Sequence, residues 1–315
     1  MSYVAGLDGG GTKTAVSVAD ERGEVIHSFP AGPLNYNGHD EQRVEASIRE
    51  ICRGLETACG SLAAVTDLCI GAAGVSNPSA GGRLQAALRA GGYGGALTLA
   101  GDHETALAGA HGRLHGIVLI AGTGSICYGR SVGGAAHRAG GFGHLIDDEG
   151  SGYSIGRGML SSVVRAADGR IGPTALTELV YGALGIGSVP ELIGYVYAPG
   201  RSKAEIAALA PLLGEACDAG DEAALRLAAD SGAALASLVP AVAAALGMED
   251  GELALLGSVL ERSSYVREAF RSELSVRLPR LRCVEPKRDA AYGAVLLALE
   301  ARRCRLDSGR GGEGR

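Results

Sequence analysis

Tryptophan is absent from this chain of 315 residues, and all aromatic residues together make up only 4% of it. The core must therefore be filled with aliphatic side chains. Positive charge is not in excess either: 29 Lys and Arg stand against 35 Asp and Glu, a net charge of -6. With no basic cluster, nucleic acid is not an expected partner. The seven cysteines are odd in number, scattered, and include no C-x-x-C pair. That excludes a disulfide framework or a zinc site and reads as reduced thiols of a cytoplasmic protein. Met1-Ser2 runs straight into the apolar stretch Tyr3–Leu7, which leaves no room for a signal peptide. The longest apolar span, Ala233 to Met248, is mostly alanine and is interrupted by Pro240, so a buried helix suits it better than a membrane crossing.

Glycine, by contrast, is plentiful, at 51 residues. Two glycine turns organise the chain. Val4–Leu7 is a short apolar strand leading into Asp8-Gly-Gly-Gly-Thr-Lys-Thr14, and Ala15–Asp20 returns as a strand. A third strand follows at Glu24–Phe29. Val44, Ile48, Ile51, Cys52, Leu55 and Cys59 share one face of a helix that Gly60 can end. Strands at Leu68–Ile70 and Ala96–Ala100 flank a short helix around Leu84–Ala90. The pattern then starts again. Ile117–Ala121 is a strand, Gly122-Thr-Gly124 a turn, and Ser125–Gly129 a returning segment. Helices are expected near 157–168, 174–184, 203–218 and 221–247. A strand at Glu252–Leu256, a helix from Ser258, a strand at Leu281–Glu285 and a helix from Asp289 to Arg303 follow. Two similar halves of this kind imply two α/β lobes around a cleft.

The first turn admits three phosphate-loop readings. A Walker loop fails because Thr12 stands where Lys is required and a strand follows. A Rossmann fingerprint fails because neither turn reads G-x-G-x-x-G into a helix. A hairpin nest remains, in which backbone N–H groups and the Thr12 hydroxyl face phosphate oxygens and Asp8 holds a hydrated Mg²⁺. A tight hairpin with no ligand is the plain alternative. At Gly101-Asp102 a strand gives way to a helix, where the carboxylate could be a base or simply an N-cap. His103, His111 and His115 do not make a convincing metal site, because Gly112 and Gly116 disfavour a helix that would pair the last two. Most unusual is Gly140-Gly-Phe-Gly-His-Leu-Ile-Asp-Asp-Glu-Gly-Ser-Gly-Tyr153, with five glycines and three consecutive acids in fourteen residues.

Taken in order, Asp8-Gly-Gly-Gly-Thr-Lys, Ala121-Gly-Thr-Gly-Ser and Gly141-Phe-Gly-His-Leu-Ile-Asp-Asp-Glu-Gly-Ser resemble the BadF/BadG/BcrA/BcrD-type ATPase family, most of all its N-acetylglucosamine kinase branch within the actin/Hsp70/sugar-kinase superfamily. The resemblance implies an α/β fold of two ribonuclease-H-like, actin-like lobes with the active site in the cleft between them. The lobes would be residues 1–115 and 116–289, with helix 290–304 packing back on the first and a disordered tail at 305–315. The implied activity is transfer of the ATP γ-phosphate to the 6-hydroxyl of N-acetylglucosamine, N-acetylmuramic acid or glucosamine, with Mg²⁺ and in a homodimer.

The resemblance also assigns residues. Asp102 would be the general base and a sugar contact. Gly10, Gly11, Thr12, Lys13, Thr123, Gly124, Ala207, Gly257 and Ser258 would bind ATP, and Asp8 would hold Mg²⁺ through water. The sugar would meet Asn35, Ser125, Gly141, Phe142, Gly143, His144, Leu145, Asp148 and Glu149. Asp289-Ala-Ala-Tyr-Gly293-Ala resembles the family's second connecting segment. Phe142 and Ile126 depart from the family's frequent Trp and Asn, which points to a roomier, more apolar sugar side. Rival readings are an ATPase that activates a 2-hydroxyacyl-CoA dehydratase through a cysteine-held cluster, for which Cys127 has no matching partner, and a non-enzymatic sugar sensor.

Overall fold

The computed structural model describes residues 1–34, 41–72 and 78–310. The chain divides into two compact units, Met1–Gly116 together with the segment from Glu285 onward, and Ile117–Val284.

The first unit begins with strands β1 (Tyr3–Gly9), β2 (Thr14–Ala19) and β3 (Val25–Ala31), followed by helix α1 (Glu41–Cys59). Strand β4 (Val65–Ala72), α2 (Pro78–Ala90), β5 (Ala96–Ala100) and α3 (Asp102–His111) complete its N-terminal part. Strand order in the sheet is β3-β2-β1-β4-β5. β1 pairs antiparallel with β2 and parallel with β4, which in turn pairs parallel with β5. Helix α1 buries Val44, Ile48, Ile51, Cys52 and Leu55 against this sheet, the stripe its periodicity predicts.

The second unit repeats the plan. Its strands are β6 (Gly116–Ala121), β7 (Ser125–Arg130), β8 (Ala136–Gly140), β9 (Glu252–Leu256) and β10 (Arg282–Val284), in the order β10-β9-β6-β7-β8. Read from the other edge this is the same topology as the first sheet, as the paired glycine turns lead one to expect, and it agrees with the ribonuclease-H-like fold that the family resemblance implies. Between β8 and β9 lie α4 (Gly152–Ala167), α5 (Leu176–Leu184), α6 (Val189–Val196), α7 (Lys203–Ala207), α8 (Leu212–Asp218) and α9 (Glu222–Leu246). Helices α10 (Ser258–Arg262) and α11 (Ser264–Arg277) follow β9. Helix α9 is the one described helix long and apolar enough to span a membrane. It buries Ala228, Leu235, Val239 and Val242 in this unit's core, where Val266 and Phe270 of α11 also lie, as a core helix does.

The last helix, α12 (Ala290–Arg310), belongs to the first unit. It lies backbone against backbone on β1 and α3. A Cβ at Gly6 would sit 2.3 Å from the Ala291 carbonyl oxygen, and one at Gly293 only 1.9 Å from that of Thr105.

Several expectations need correction. The tail expected to be disordered from residue 305 is helical as far as Arg310. Arg302 and Arg305 reach back to the buried carboxylate of Asp67, and Arg302 also to Glu21, so the helix has reasons to continue. Residues 285–289, expected in the second lobe, join the first unit, where the Lys287 and Arg288 N–H groups donate to the carbonyls of Ala110 and Gly109. The single helix expected over 203–218 is two, broken before Pro211. Helix α4 starts at Gly152 instead of 157, and β8 and α6 were not foreseen.

Candidate functional site

Each unit presents its own glycine turn. In the first, β1 and β2 are joined by Gly10–Lys13, closed by a hydrogen bond from the Gly10 N–H to the Lys13 carbonyl at 3.0 Å. Gly11, Thr12 and Lys13 are exposed. At Gly11 an added Cβ would meet nothing within 4 Å, and its φ is not positive. Neither packing nor backbone angle demands glycine there, so what its hydrogen leaves is open room beside the backbone.

Asp8, one residue before the end of β1, is pushed up to about 6. Burial is the main cause, followed by the negative charges of Asp102 and Asp289, while Lys13 works the other way. Three carboxylates thus share one field. Asp102 is the first residue of α3, and the N-cap is Gly101, whose N–H is taken by the Glu104 carboxylate at 2.7 Å. Capping therefore does not need Asp102. Its Oδ1 accepts from the His103 N–H at 3.0 Å and faces His103 Nδ1 at 3.4 Å, with the side chain about half exposed. Burial works to raise its pKa, but the His103 contacts prevail and hold the carboxyl below its ordinary value. Asp289 caps α12 through the Tyr292 N–H at 2.9 Å. Helix α3 runs through to His111, which is buried, and Gly112 ends it in the left-handed conformation at φ 61°.

Among the described residues no three His, Cys, Asp or Glu side chains come together as a metal cage. The donor set around Asp8 suits a different kind of cation. A hydrated Mg²⁺ takes few carboxylates and keeps its waters, and a local excess of negative charge favours it.

The second turn is held from beneath. The Gly122 N–H donates to the Gly124 carbonyl at 2.9 Å, and the first N–H groups of α4, at Gly152 and Tyr153, donate to the carbonyls of Gly122 and Thr123. Asp148 is the one described non-glycine residue with a left-handed backbone, φ 68°, and its side chain is buried. That conformation turns its carboxylate under the turn, where Oδ1 accepts from the Ser125 N–H at 3.3 Å and a Cβ on Gly124 would come within 2.9 Å of Oδ2. The Ser125 hydroxyl donates to the Glu149 carbonyl at 2.8 Å. Ser125 and Asp148, expected to face the sugar, thus point inward as fasteners.

The rest of that loop is open. Phe142, Leu145, Ile146 and Glu149 are exposed. The Phe142 N–H donates to Asp147 at 3.0 Å, and the Arg138 guanidinium lies over the Phe142 ring at 4.3 Å. His144 meets Tyr153 edge-on at 4.6 Å, and the Gly143 carbonyl accepts from the N–H groups of Ile146 and Asp147.

A cavity of about 480 Å³ opens from the second turn. Gly122 and Thr123 lie at it together with Ala207 and Ser258, so three segments chosen from the sequence as nucleotide contacts meet within this unit. Gly257, beside Ser258, has φ 93° and comes so close to the end of β6 that a Cβ would lie 2.4 Å from the Ala121 carbonyl oxygen. Sequence reasoning missed Pro211, Gly214, Asp218, Arg262 and Tyr265, which line the same cavity. Gly10, Gly11, Thr12, Lys13, Asp8 and Asp102 belong to the first unit, and Asn35 lies outside the described residues.

The profile of the BadF/BadG/BcrA/BcrD ATPase family matches residues 5–298. The chain belongs to that family. Its similarity to members of known activity is spread over the full length. It is 35% identical to the N-acetylmuramic acid/N-acetylglucosamine kinase of Clostridium acetobutylicum, over 95% of this chain and 98% of that protein. It is 30% identical to the N-acetyl-D-glucosamine kinase of Dictyostelium discoideum, with the same coverage of both chains. Among solved structures, a protein from Chromobacterium violaceum described as an N-acetylglucosamine kinase superposes with a TM-score of 0.75 at 27% identity, covering 95% of this chain and 99% of that one. For this BadF/BadG/BcrA/BcrD ATPase, Cys127, the only cysteine beside either glycine turn, is fully buried in β7, with its thiol pushed far above its ordinary range by burial.

Proposed function

We propose that this chain is an ATP-dependent amino-sugar kinase that phosphorylates the 6-hydroxyl of N-acetylglucosamine or N-acetylmuramic acid. The observation that carries the reading is the full-length likeness to kinases of those two sugars. The shape of the second unit's turn and cavity supports it: a glycine–threonine turn at one side of a volume large enough for a nucleoside.

Phosphoryl transfer asks a protein mainly for position and charge neutralisation. Gly10, Gly11, Thr12 and Lys13 offer N–H, hydroxyl and ammonium donors to phosphate oxygens, and Thr123 and Gly124 do the same from the second turn. Asp102 is ionised at neutral pH and half-exposed, so its carboxylate can accept the proton of an incoming sugar hydroxyl and orient that oxygen. Asp8 is the residue that would hold a hydrated Mg²⁺, and the ion would neutralise phosphate charge when bound. The sugar contacts fall to the open part of the loop, Gly141, Phe142, Gly143, His144, Leu145 and Glu149, with Ser125 and Asp148 keeping it in place. A reduced, soluble homodimer completes the proposal, and sizing by light scattering tests it.

The deciding experiment is an ADP-release assay over glucose, glucosamine, N-acetylglucosamine, N-acetylmannosamine and N-acetylmuramic acid. Turnover is expected with N-acetylglucosamine and N-acetylmuramic acid. ATP hydrolysis indifferent to every sugar would refute the kinase reading.

A further inference from the structure

Two stretches in the lining of the cavity beside the second turn contrast with each other. One is built from Ala204, Ala207, Ala208 and Ala210 and offers apolar side chains. On the other, the last residue of α8 meets the first turn of α11: the Tyr265 hydroxyl donates to Asp218 Oδ1 at 2.9 Å. That bond fixes the carboxylate and uses one of its acceptor positions. No other hydrogen bond to the Asp218 side chain occurs among the described residues, so Oδ2 is available to an incoming donor. The two residues stand 47 positions apart in sequence and are brought together only by the fold.

An anionic carboxylate repels phosphate, so the triphosphate belongs at the Gly122–Thr123 side of the cavity. An apolar wall of alanines suits the face of a base and gives a hydroxyl nothing to bond. The group left for a pinned carboxylate is a neutral donor with two adjacent hydroxyls. We propose that Asp218, held by Tyr265, is the acceptor for the ribose hydroxyls of the bound nucleotide, with the base against the alanine wall. The assignment rests on the nucleotide reading of this cavity given above. It makes the enzyme selective for ribonucleotides over their deoxy forms, because a deoxy ligand covers Asp218 Oδ2 without giving it a hydroxyl partner, and that oxygen is left desolvated.

Binding of ATP, 2′-deoxy-ATP, 3′-deoxy-ATP and purine riboside triphosphate (which lacks the 6-amino group) to the wild-type chain and to Asp218→Ala and Tyr265→Phe tests this by calorimetry. Both side chains border an open cavity, and circular dichroism checks that the variants fold. The wild type is expected to bind ATP about 10-fold more tightly than either deoxy form. Asp218→Ala should abolish that preference, and Tyr265→Phe should reduce it about 3-fold. A preference that survives in Asp218→Ala would overturn the proposal. So would an Asp218→Ala loss that tracks the missing 6-amino group instead, which would make the carboxylate a reader of the base. Failure of the wild type to bind ATP at all would overturn the kinase reading and this inference together, a distinct result.

Discussion

The two glycine turns descend from the same strand–turn–strand plan and are supported in opposite ways. The first is open and backed by a cluster of carboxylates. Nothing lies within 4 Å of a Cβ placed on Gly11, and Asp8 is pushed up to about 6 by burial and its acidic neighbours. The second is fastened, with Asp148 in a left-handed conformation beneath Ser125 and the start of α4 bonded to its carbonyls. Repeating a topology does not repeat its energetics: one copy stores electrostatic strain at the turn, and the other removes freedom from it.

The largest expected effect comes from removing the first unit's exposed acid. Asp102→Ala should lower kcat by roughly a thousandfold or more, a general-base loss combined with lost positioning, while ATP affinity measured by calorimetry stays within about 2-fold. Wild-type turnover in that variant would remove Asp102 from the chemistry.

Asp8→Asn should separate stability from activity. The folded pKa of about 6 lies above the ordinary 3.8, so the charged form is penalised in the folded state only. Below pH 3.8 both states are protonated and there is no penalty. Stability is lost as the pH rises towards 6, reaching ~2 kcal/mol after allowance for the partial exposure of the group. Denaturant titrations should find the inactive Asn variant more stable than wild type at pH 7.5 and equal to it at pH 3.5. Equal stability at both pH values would show that the carboxylate cluster is not strained.

Gly124→Ala against Gly11→Ala compares the turns directly. The first places a methyl 2.9 Å from the buried Asp148 carboxylate and should destabilise the fold by about 1–3 kcal/mol. The second should change stability by less than about 0.5 kcal/mol, since the space is empty, yet weaken ATP binding about 10-fold by holding phosphate off the backbone. A modest effect, on stability alone, is expected at Asp148→Gly, which relieves the left-handed backbone but strands the Ser125 N–H. The net loss should be about 1 kcal/mol in a thermal melt.

Much of this was legible in the sequence because it is local. A strand, a Gly-Thr turn and a returning strand are contiguous, and their repetition at Val4 and Ile117 announced two similar sheets. Features resting on distant pairs were not legible. Strand β8, Ala-His-Arg-Ala-Gly, has no β-branched residue and is an exposed edge recognisable only by its pairing with β7. Among the three consecutive acids at 147–149, spacing cannot say which one turns inward, and the positive φ at Asp148 decides it. Asp218 and Tyr265 carry no motif. The influence of Asp289 on Asp8 spans almost the entire chain. The helical end of α12 escaped notice because its composition is that of a solvated tail, and the buried Asp67 that anchors its arginines lies far away in sequence.

The return of α12 to the first unit also sets an order of events during synthesis. The second unit is one uninterrupted segment, Ile117–Val284, and can complete its core as soon as that segment leaves the ribosome. The first unit is made earlier but finishes later. The pleat of β1 around Gly6 stays uncovered until Ala291 and Val295 arrive, so the N-terminal sheet must wait, partly bare, for almost the whole chain. Closing so long a loop adds little to the final free energy, since its entropy grows only logarithmically with length. Its effect falls on kinetics instead, and makes the first half of this protein the part most dependent on protection while nascent.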